Sequence, residues 1–328
     1  MDGLLIVDKP AGPTSHDVVA RTRRILREPR IGHTGTLDPA ATGVLPLVVG
    51  RATRLARFLS ERDKSYEAVV RLGVRTDTAD AEGAPVGPAY DAARDGQLPG
   101  RAAIDAVLDA FRGTFLQQPP AFSAKRIGGT RSHELARARA ANARLERSGA
   151  ESQPERRALP APPDLPAPVS VTAHAIDIVS VDGDWVTLRV DCSAGFYVRA
   201  LAQDLGERLG VGAHLAALRR TRSGDCRIED AMALSVAEGD PAVAVARLIP
   251  LSKLLLYLPL VRLTAEGARR ARHGRDVGPA DAVDARLPAP AAGGVFPLCR
   301  LMDPSGDLLG LAEAAAATGF LHPSIVLV

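Results

Sequence analysis

The period of the apolar positions changes repeatedly along the chain, and each change marks an element. Residues 3–8, GLLIVD, are apolar in succession and end at Lys9-Pro10 and a Gly12-Pro13 turn, which predicts a buried strand. Val18, Val19, Ile25 and Leu26 then recur at helical spacing behind a cap at Thr14 or Ser15. Residues 31–43 have no period and read as a Gly/Thr/Pro loop. A short apolar strand over 43–50 and a basic amphipathic helix over 51–59 follow. Alternation returns at 64–74, where Tyr66, Ala68, Val70 and Leu72 face one way and Glu67 and Arg71 the other, the pattern of a half-buried strand. Residues 75–100 read as loop, and Ile104, Val107, Leu108 and Phe111 mark one face of a helix over 101–112.

In the second half, 145–168 is rich in Pro, Ala, Glu and Arg and reads as a linker or loop with no fold of its own. Residues 169–180 and 184–192 alternate around Asp182-Gly183 and predict a hairpin. A helix is expected from about Tyr197, with Val198, Leu201, Ala202, Leu205 and Leu209 on its buried stripe. Another short helix is expected over 213–221, and an apolar helix after Gly239-Asp240-Pro241. Gly/Pro-rich strand signals place a compact β-rich module at 255–328, after a larger domain over 1–250.

Composition narrows the class. The 328 residues are 46% hydrophobic, as in ordinary globular chains, and a net charge of +3 does not by itself demand a nucleic-acid partner. Its distribution says more. Residues 125–147 carry Lys125, Arg126, Arg131, Arg137, Arg139, Arg144 and Arg147 against Glu134 and Glu146. Arg219, Arg220, Arg222 and Arg227 form a second run, and Arg262, Arg269, Arg270, Arg272 and Arg275 a third. Such patches suit phosphate backbones or a solvated surface. The three cysteines are far apart with no CxxC, which argues against zinc and redox motifs and fits a reducing cytoplasm. MDGLLIVDKP reads as neither a signal peptide nor a membrane span.

The densest feature is GHTGTLDPAATGVLP, residues 32–46. Glycines that permit positive φ and prolines that preset φ fix an unusual path, and Asp38 is the lone carboxylate within it. An Asp before Pro is, taken alone, most simply a turn former. Fifteen residues of this kind exceed what a turn requires.

This run resembles the signature of the tRNA pseudouridine-55 synthase family, the TruB family. LLIVDKPAGPTSHDVV resembles the family's opening strand, turn and helix; DKSYEAVVRLGVRTDTADAEG resembles its second motif; CSAGFYVRALAQDLGERLGVGAHLAALRR resembles its third. The resemblance implies a mixed α/β fold, a twisted and largely antiparallel sheet flanked by helices, with a small β-rich (PUA-like) RNA-binding module at the C-terminus. It implies isomerisation of uridine 55 in the T-loop of tRNA after base flipping. Asp38 matches the catalytic aspartate, acting as nucleophile or as base. Tyr66 matches a tyrosine that stacks on the target base, Arg199 the arginine that pairs with the aspartate, Tyr197 its neighbour near the uracil edge, and Leu218 a pocket-lining position. His33 matches a histidine that fills the space left by the everted base, and Lys9 a structural support. Asp77 and Asp80 resemble the TDTxD run; no calcium-loop spacing surrounds them.

The same resemblance implies no cofactor, no metal, a tRNA T-arm partner, no membrane, no obligatory protein partner, a monomer and a cytoplasmic location. QQPPAFSAKRIGGTRSHELARAR, in 117–147, resembles the thumb that grips the T-arm. It departs from the pattern at Lys125, Arg126 and His133. Two rivals remain: a glycosidase-like hydrolase, which ordinarily needs two opposed carboxylates, and a non-catalytic RNA-binding or RNA-folding protein.

Overall fold

The computed structural model describes residues 1–120, 126–127, 130–131, 166–285, 287–288, 298–315 and 319–327. Lys125, His133, most of the thumb-like segment and most of 145–168 lie outside the described residues, as does most of the basic run over 125–147.

Along the chain β1 (Gly3–Lys9) leads into α1 (Ser15–Leu26), followed by β2 (Ile31–His33) and β3 (Thr42–Val49). A 3-10 turn, Gly50–Leu55, runs into α2 (Ala56–Ser60). Next come β4 (Lys64–Leu72), α3 (Ala92–Asp95), α4 (Arg101–Leu108), β5 (Gly113–Gln117) and the paired β6 (Arg126–Ile127) and β7 (Thr130–Arg131). The hairpin β8 (Val169–Asp182) and β9 (Trp185–Cys192) precedes α5 (Val198–Arg208) and β10 (Ala213–Ser223). After these lie β11 (Cys226–Arg227), β12 (Met232–Ala233), α6 (Leu234–Gly239), α7 (Pro241–Ala246), β13 (Leu260–Arg262), α8 (Ala265–Arg272), β14 (Cys299–Met302), β15 (Leu308–Ala314) and β16 (Leu321–Val326).

The chain divides into two compact units: Met1–Pro39 with Gly43–Glu61 and Cys226–Val328, and Ala40–Thr42 with Arg62–Asp225. In the first, β1 pairs antiparallel with β3, β2 adds antiparallel to β3, and β12 pairs parallel with β1. α1 starts where Thr14 and Asp17 close a reciprocal capping box, and it buries Val18, Val19, Thr22 and Leu26. The C-terminal strands form a separate four-stranded sheet in the order β13-β14-β15-β16. One core lies within this part, around Leu263, Ala268, Leu301 and Leu309. A second joins Leu4, Ile6, Val44 and Val48 to Leu308, Leu311 and Ile325, so the first strands and the last ones bury one another's apolar faces.

In the second unit β10, β4, β9, β8 and β5 are neighbours in that order, every pair antiparallel. The β8–β9 hairpin turns at Gly183, whose φ of 57° suits a residue without Cβ. α4 buries Ile104 and Leu108, and α5 buries Val198, Leu201, Ala202 and Leu205. α5 meets the start of β10 so closely that a Cβ on Gly206 would stand 2.2 Å from the Ala213 nitrogen. These observations bear out the expected fold class: mixed α/β, largely antiparallel sheets flanked by helices, and a small separate C-terminal sheet. Among the described residues no helix is long and apolar enough to cross a membrane.

Several local expectations are corrected. Residues 213–221 are not a helix but the strand β10, which pairs with β4 from Ala213 opposite Leu72 to Ser223 opposite Lys64. The Ala, Leu and Arg of that stretch favour helix intrinsically, but ladder pairing overrides so weak a preference. Irregularities at Leu215/Ala217 and Arg220/Arg222 also break the alternation that would have revealed a strand. Within the expected loop, Ile31–His33 is a short strand. The helix over 51–59 is 3-10 in its first half, and the apolar helix after Gly239 is a short α7 preceded by a separate α6.

Candidate active site

In the first unit the loop bearing Asp38 is tied on both sides of that residue. The Ser15 hydroxyl donates to the Leu37 carbonyl at 3.0 Å, and the Leu37 N–H donates back to Ser15 Oγ at 2.9 Å. On the other side the Pro39 carbonyl accepts from Lys9 Nζ at 2.9 Å and from the Gly12 N–H at 2.9 Å. Lys9 is fully buried and also donates to the Pro10 carbonyl at 3.0 Å. Gly35, with φ of 124°, takes a path closed to most side chains. Asp38 itself is half-buried between these anchors. Such a loop holds a short carboxylate with little conformational freedom left to lose on binding. His33, at the end of β2, is half-buried with its ring edge-on to His16, centroids 5.3 Å apart.

In the second unit Tyr66 is buried on β4, opposite Arg220 of β10 and Val190 of β9. Lys64 and Ala68 lie on the same face by strand alternation. Leu218 is opposite Ala68 and half-buried, and its carbonyl is 3.5 Å from Thr42 Oγ1. Tyr197 caps α5, and the buried Gln117 side chain clasps its backbone. Gln117 Oε1 accepts from the Tyr197 N–H at 2.8 Å and its Nε2 donates to the Tyr197 carbonyl at 3.0 Å. Arg199, in the first turn of α5, is 6% exposed; its Nη1 donates to the Thr78 carbonyl at 3.2 Å and lies 3.8 Å from Asp80 Oδ2.

The carboxylates of the 76–84 turn serve the turn itself. Asp80 accepts from the Thr78 hydroxyl and the Glu82 N–H, and Asp77 accepts from the Ala84 N–H. Among the described residues no group of His, Cys, Asp and Glu is arranged to hold a metal.

Burial and the nearby Arg220 guanidinium push the Lys64 ammonium down to about 8. Burial likewise pushes the Cys192 thiol up to about 12, so it stays protonated and inert at neutral pH. The first unit carries Asp38, His33 and Lys9, and the second carries Tyr66, Tyr197, Arg199 and Leu218 on adjoining strands and the helix that follows β9.

Comparison with known proteins supplies the family. A model described as the TruB family pseudouridylate synthase N-terminal domain matches residues 23–150, and one described as the tRNA pseudouridylate synthase B C-terminal domain matches 199–246. A tRNA pseudouridine synthase B of Solibacter usitatus is 38% identical, with 100% of each chain covered. One of Aromatoleum aromaticum is 42% identical over 98% of this chain and 92% of its own. The chain belongs to the TruB family. It is accordingly a pseudouridine synthase, an isomerase that modifies RNA. Among solved structures, an H/ACA ribonucleoprotein bound to a substrate RNA containing 2′-deoxyuridine has a chain similar to this one. The TM-score is 0.68 at 25% identity, covering 99% of this chain and 85% of that one. A chain of a Cbf5-Nop10-Gar1 complex is similar at a TM-score of 0.67 and 26% identity.

Two features of this TruB-family chain escaped the sequence reading. Gln117 holds Tyr197 from 80 residues away, and no local pattern marks it. The arginines of α1 and the turn after it are visible in the sequence as RTRRILREPR, but the amphipathic reading of that helix drew attention to its apolar face alone.

Proposed function

We propose that the protein converts uridine 55 in the T-loop of tRNA to pseudouridine, with Asp38 as the catalytic carboxylate. The observation that carries this is the fixing of Leu37 and Pro39, the neighbours of Asp38, by Ser15, Lys9 and Gly12. In the reaction the N1–C1′ bond of the nucleotide breaks and a C5–C1′ bond forms. The proton lost from C5 is balanced by one taken up at N1, so no oxidant, water or cofactor is consumed. A carboxylate at the sugar or base, as nucleophile or as base, suffices for these steps.

The other roles follow the family resemblance. Tyr66 stacks on the everted base and Tyr197 lies at its edge, as unpaired RNA bases are generally held. Leu218 lines the uracil pocket. Arg199 matches the family's arginine that pairs with the catalytic aspartate, and Lys9 is a support. His33 fills the space the base vacates, which lowers the cost of eversion. The partner is the T-arm of tRNA, the C-terminal sheet serves as a PUA-like RNA-binding module, and the protein acts as a cytoplasmic monomer without metal or cofactor.

Release of tritium from C5-labelled uridine in tRNA tests the reading. Asp38→Asn should abolish release and leave tRNA affinity nearly intact; retained turnover in that variant refutes the assignment. Free uracil among the wild-type products would instead establish a hydrolase.

A further inference from the structure

The net charge of the whole chain is +3, yet residues 15–30 alone carry five arginines against Asp17 and Glu28, also a surplus of three. The excess is directional. His16, Ala20 and Arg23 follow one another at i, i+4 and i+7 on the exposed face of α1; Arg24 adjoins them and Arg27 continues the line one turn on. The stripe begins beside the Asp38 loop, because His16 is the residue whose ring meets His33.

Part of this charge is used within the fold. Arg21 lies 3.5 Å from Glu238, Arg30 holds Glu28 at 3.3 Å, and Arg23 donates to the Ile31 carbonyl at 2.6 Å. Arg24 and Arg27 are exposed, and among the described residues neither has a carboxylate partner. A helix macrodipole favours cations in its last turn and accounts for Arg23 and Arg24 without any ligand. It does not account for Arg27. That residue closes the helix at φ 51°, ψ 34°, the left-handed conformation that glycine or asparagine ordinarily takes, and a long side chain there costs about 1 kcal/mol. Local strain retained for an exposed, unneutralised guanidinium points to a ligand for that charge.

We propose that the exposed face of α1, from His16 through Arg23 and Arg24 to Arg27, is a track for the phosphodiester backbone of the substrate RNA as it leaves the loop bearing the target uridine. This rests on the function proposed above. The chemistry is a run of exposed guanidinium groups at Arg23, Arg24 and Arg27, which suits sequence-independent phosphate contacts that position the RNA.

Fluorescence anisotropy of a labelled tRNA, titrated with full-length protein between about 50 and 200 mM salt, tests it. The double variant Arg24→Gln/Arg27→Gly should bind on the order of tenfold more weakly at low salt, and its log–log salt slope should fall by about two. Arg27→Lys should keep the wild-type affinity. Arg27→Gly should melt at or above the wild-type temperature, since glycine takes this conformation without strain. Wild-type affinity and slope in the double variant overturn the proposal. So does a lowered melting temperature in Arg27→Gly, which would make Arg27 a structural residue. Failure of the enzymatic reading shows separately, as absence of pseudouridine in tRNA treated with the wild-type protein.

Discussion

Lys9 Nζ donates to the carbonyl of Pro39, thirty residues away, at 2.9 Å. The fully buried ammonium thereby ties the end of β1 to the residue that follows Asp38. Removing the donor takes one partner from the Pro10 carbonyl and one from the Pro39 carbonyl, which keeps the Gly12 N–H. Lys9→Met is expected to lower unfolding free energy by about 1–3 kcal/mol. If the tie sets the position of Asp38, turnover should fall by about a hundredfold with little change in tRNA affinity. Single-turnover rates measured well below the melting temperature check this; a wild-type rate there would show that Lys9 serves stability alone.

Gln117 and Tyr197 exchange two hydrogen bonds, at 2.8 and 3.0 Å, where α5 begins. Gln117→Leu preserves bulk and removes both. It should cost about 1–2 kcal/mol in urea unfolding without change in m, because the Tyr197 N–H loses its Gln117 acceptor while the Tyr197 carbonyl keeps the Leu201 N–H. Gln117→Glu retains an acceptor for the N–H but no donor for the carbonyl, and should fall between the two. Equal stability of the leucine variant and wild type would remove the clasp from the account of α5.

Lys64 titrates at about 8 in the folded chain, below its ordinary value of 10.5, through burial and then Arg220. The folded state therefore favours the neutral amine and binds fewer protons than the unfolded state between those two values. Stability contributed by this group rises with pH across that window and is lowest below about 8. Lys64→Met, which has no charge to desolvate, should be more stable relative to wild type at pH 7 than at pH 10, by about 2 kcal/mol. A stability difference independent of pH would mean that Lys64 is not so perturbed.

The Asp38 loop was legible because its constraints are local. Glycine, threonine and proline specify a backbone path from within the segment, and a lone aspartate inside that path is conspicuous. The hairpin of β8 and β9 and the stripe of α5 were legible for the same reason: period and turn chemistry are written in neighbouring residues. β10 was not. Its irregularities displace the alternation, its residues favour helix, and the decisive interaction is a ladder with β4, some 150 residues earlier. Gln117 was opaque in another way. A glutamine before a second glutamine looks like a surface residue until the chain folds over it, whereas Lys9 was marked as a support through the family resemblance.

The sequence by itself determined the family, the sheet-and-helix class and the segment in which a reactive carboxylate would be fixed, since these reside in short-range patterns. The tertiary structure decided which residues hold that segment still. It alone shows that Lys9, Ser15 and Gly12 grip the chain on either side of Asp38, that Gln117 secures Tyr197, and that Arg27 ends its helix in a left-handed conformation with no carboxylate partner among the described residues. The physical reason is that a hydrogen bond or a ladder pair depends on distance in space, and distance along the chain carries no record of it.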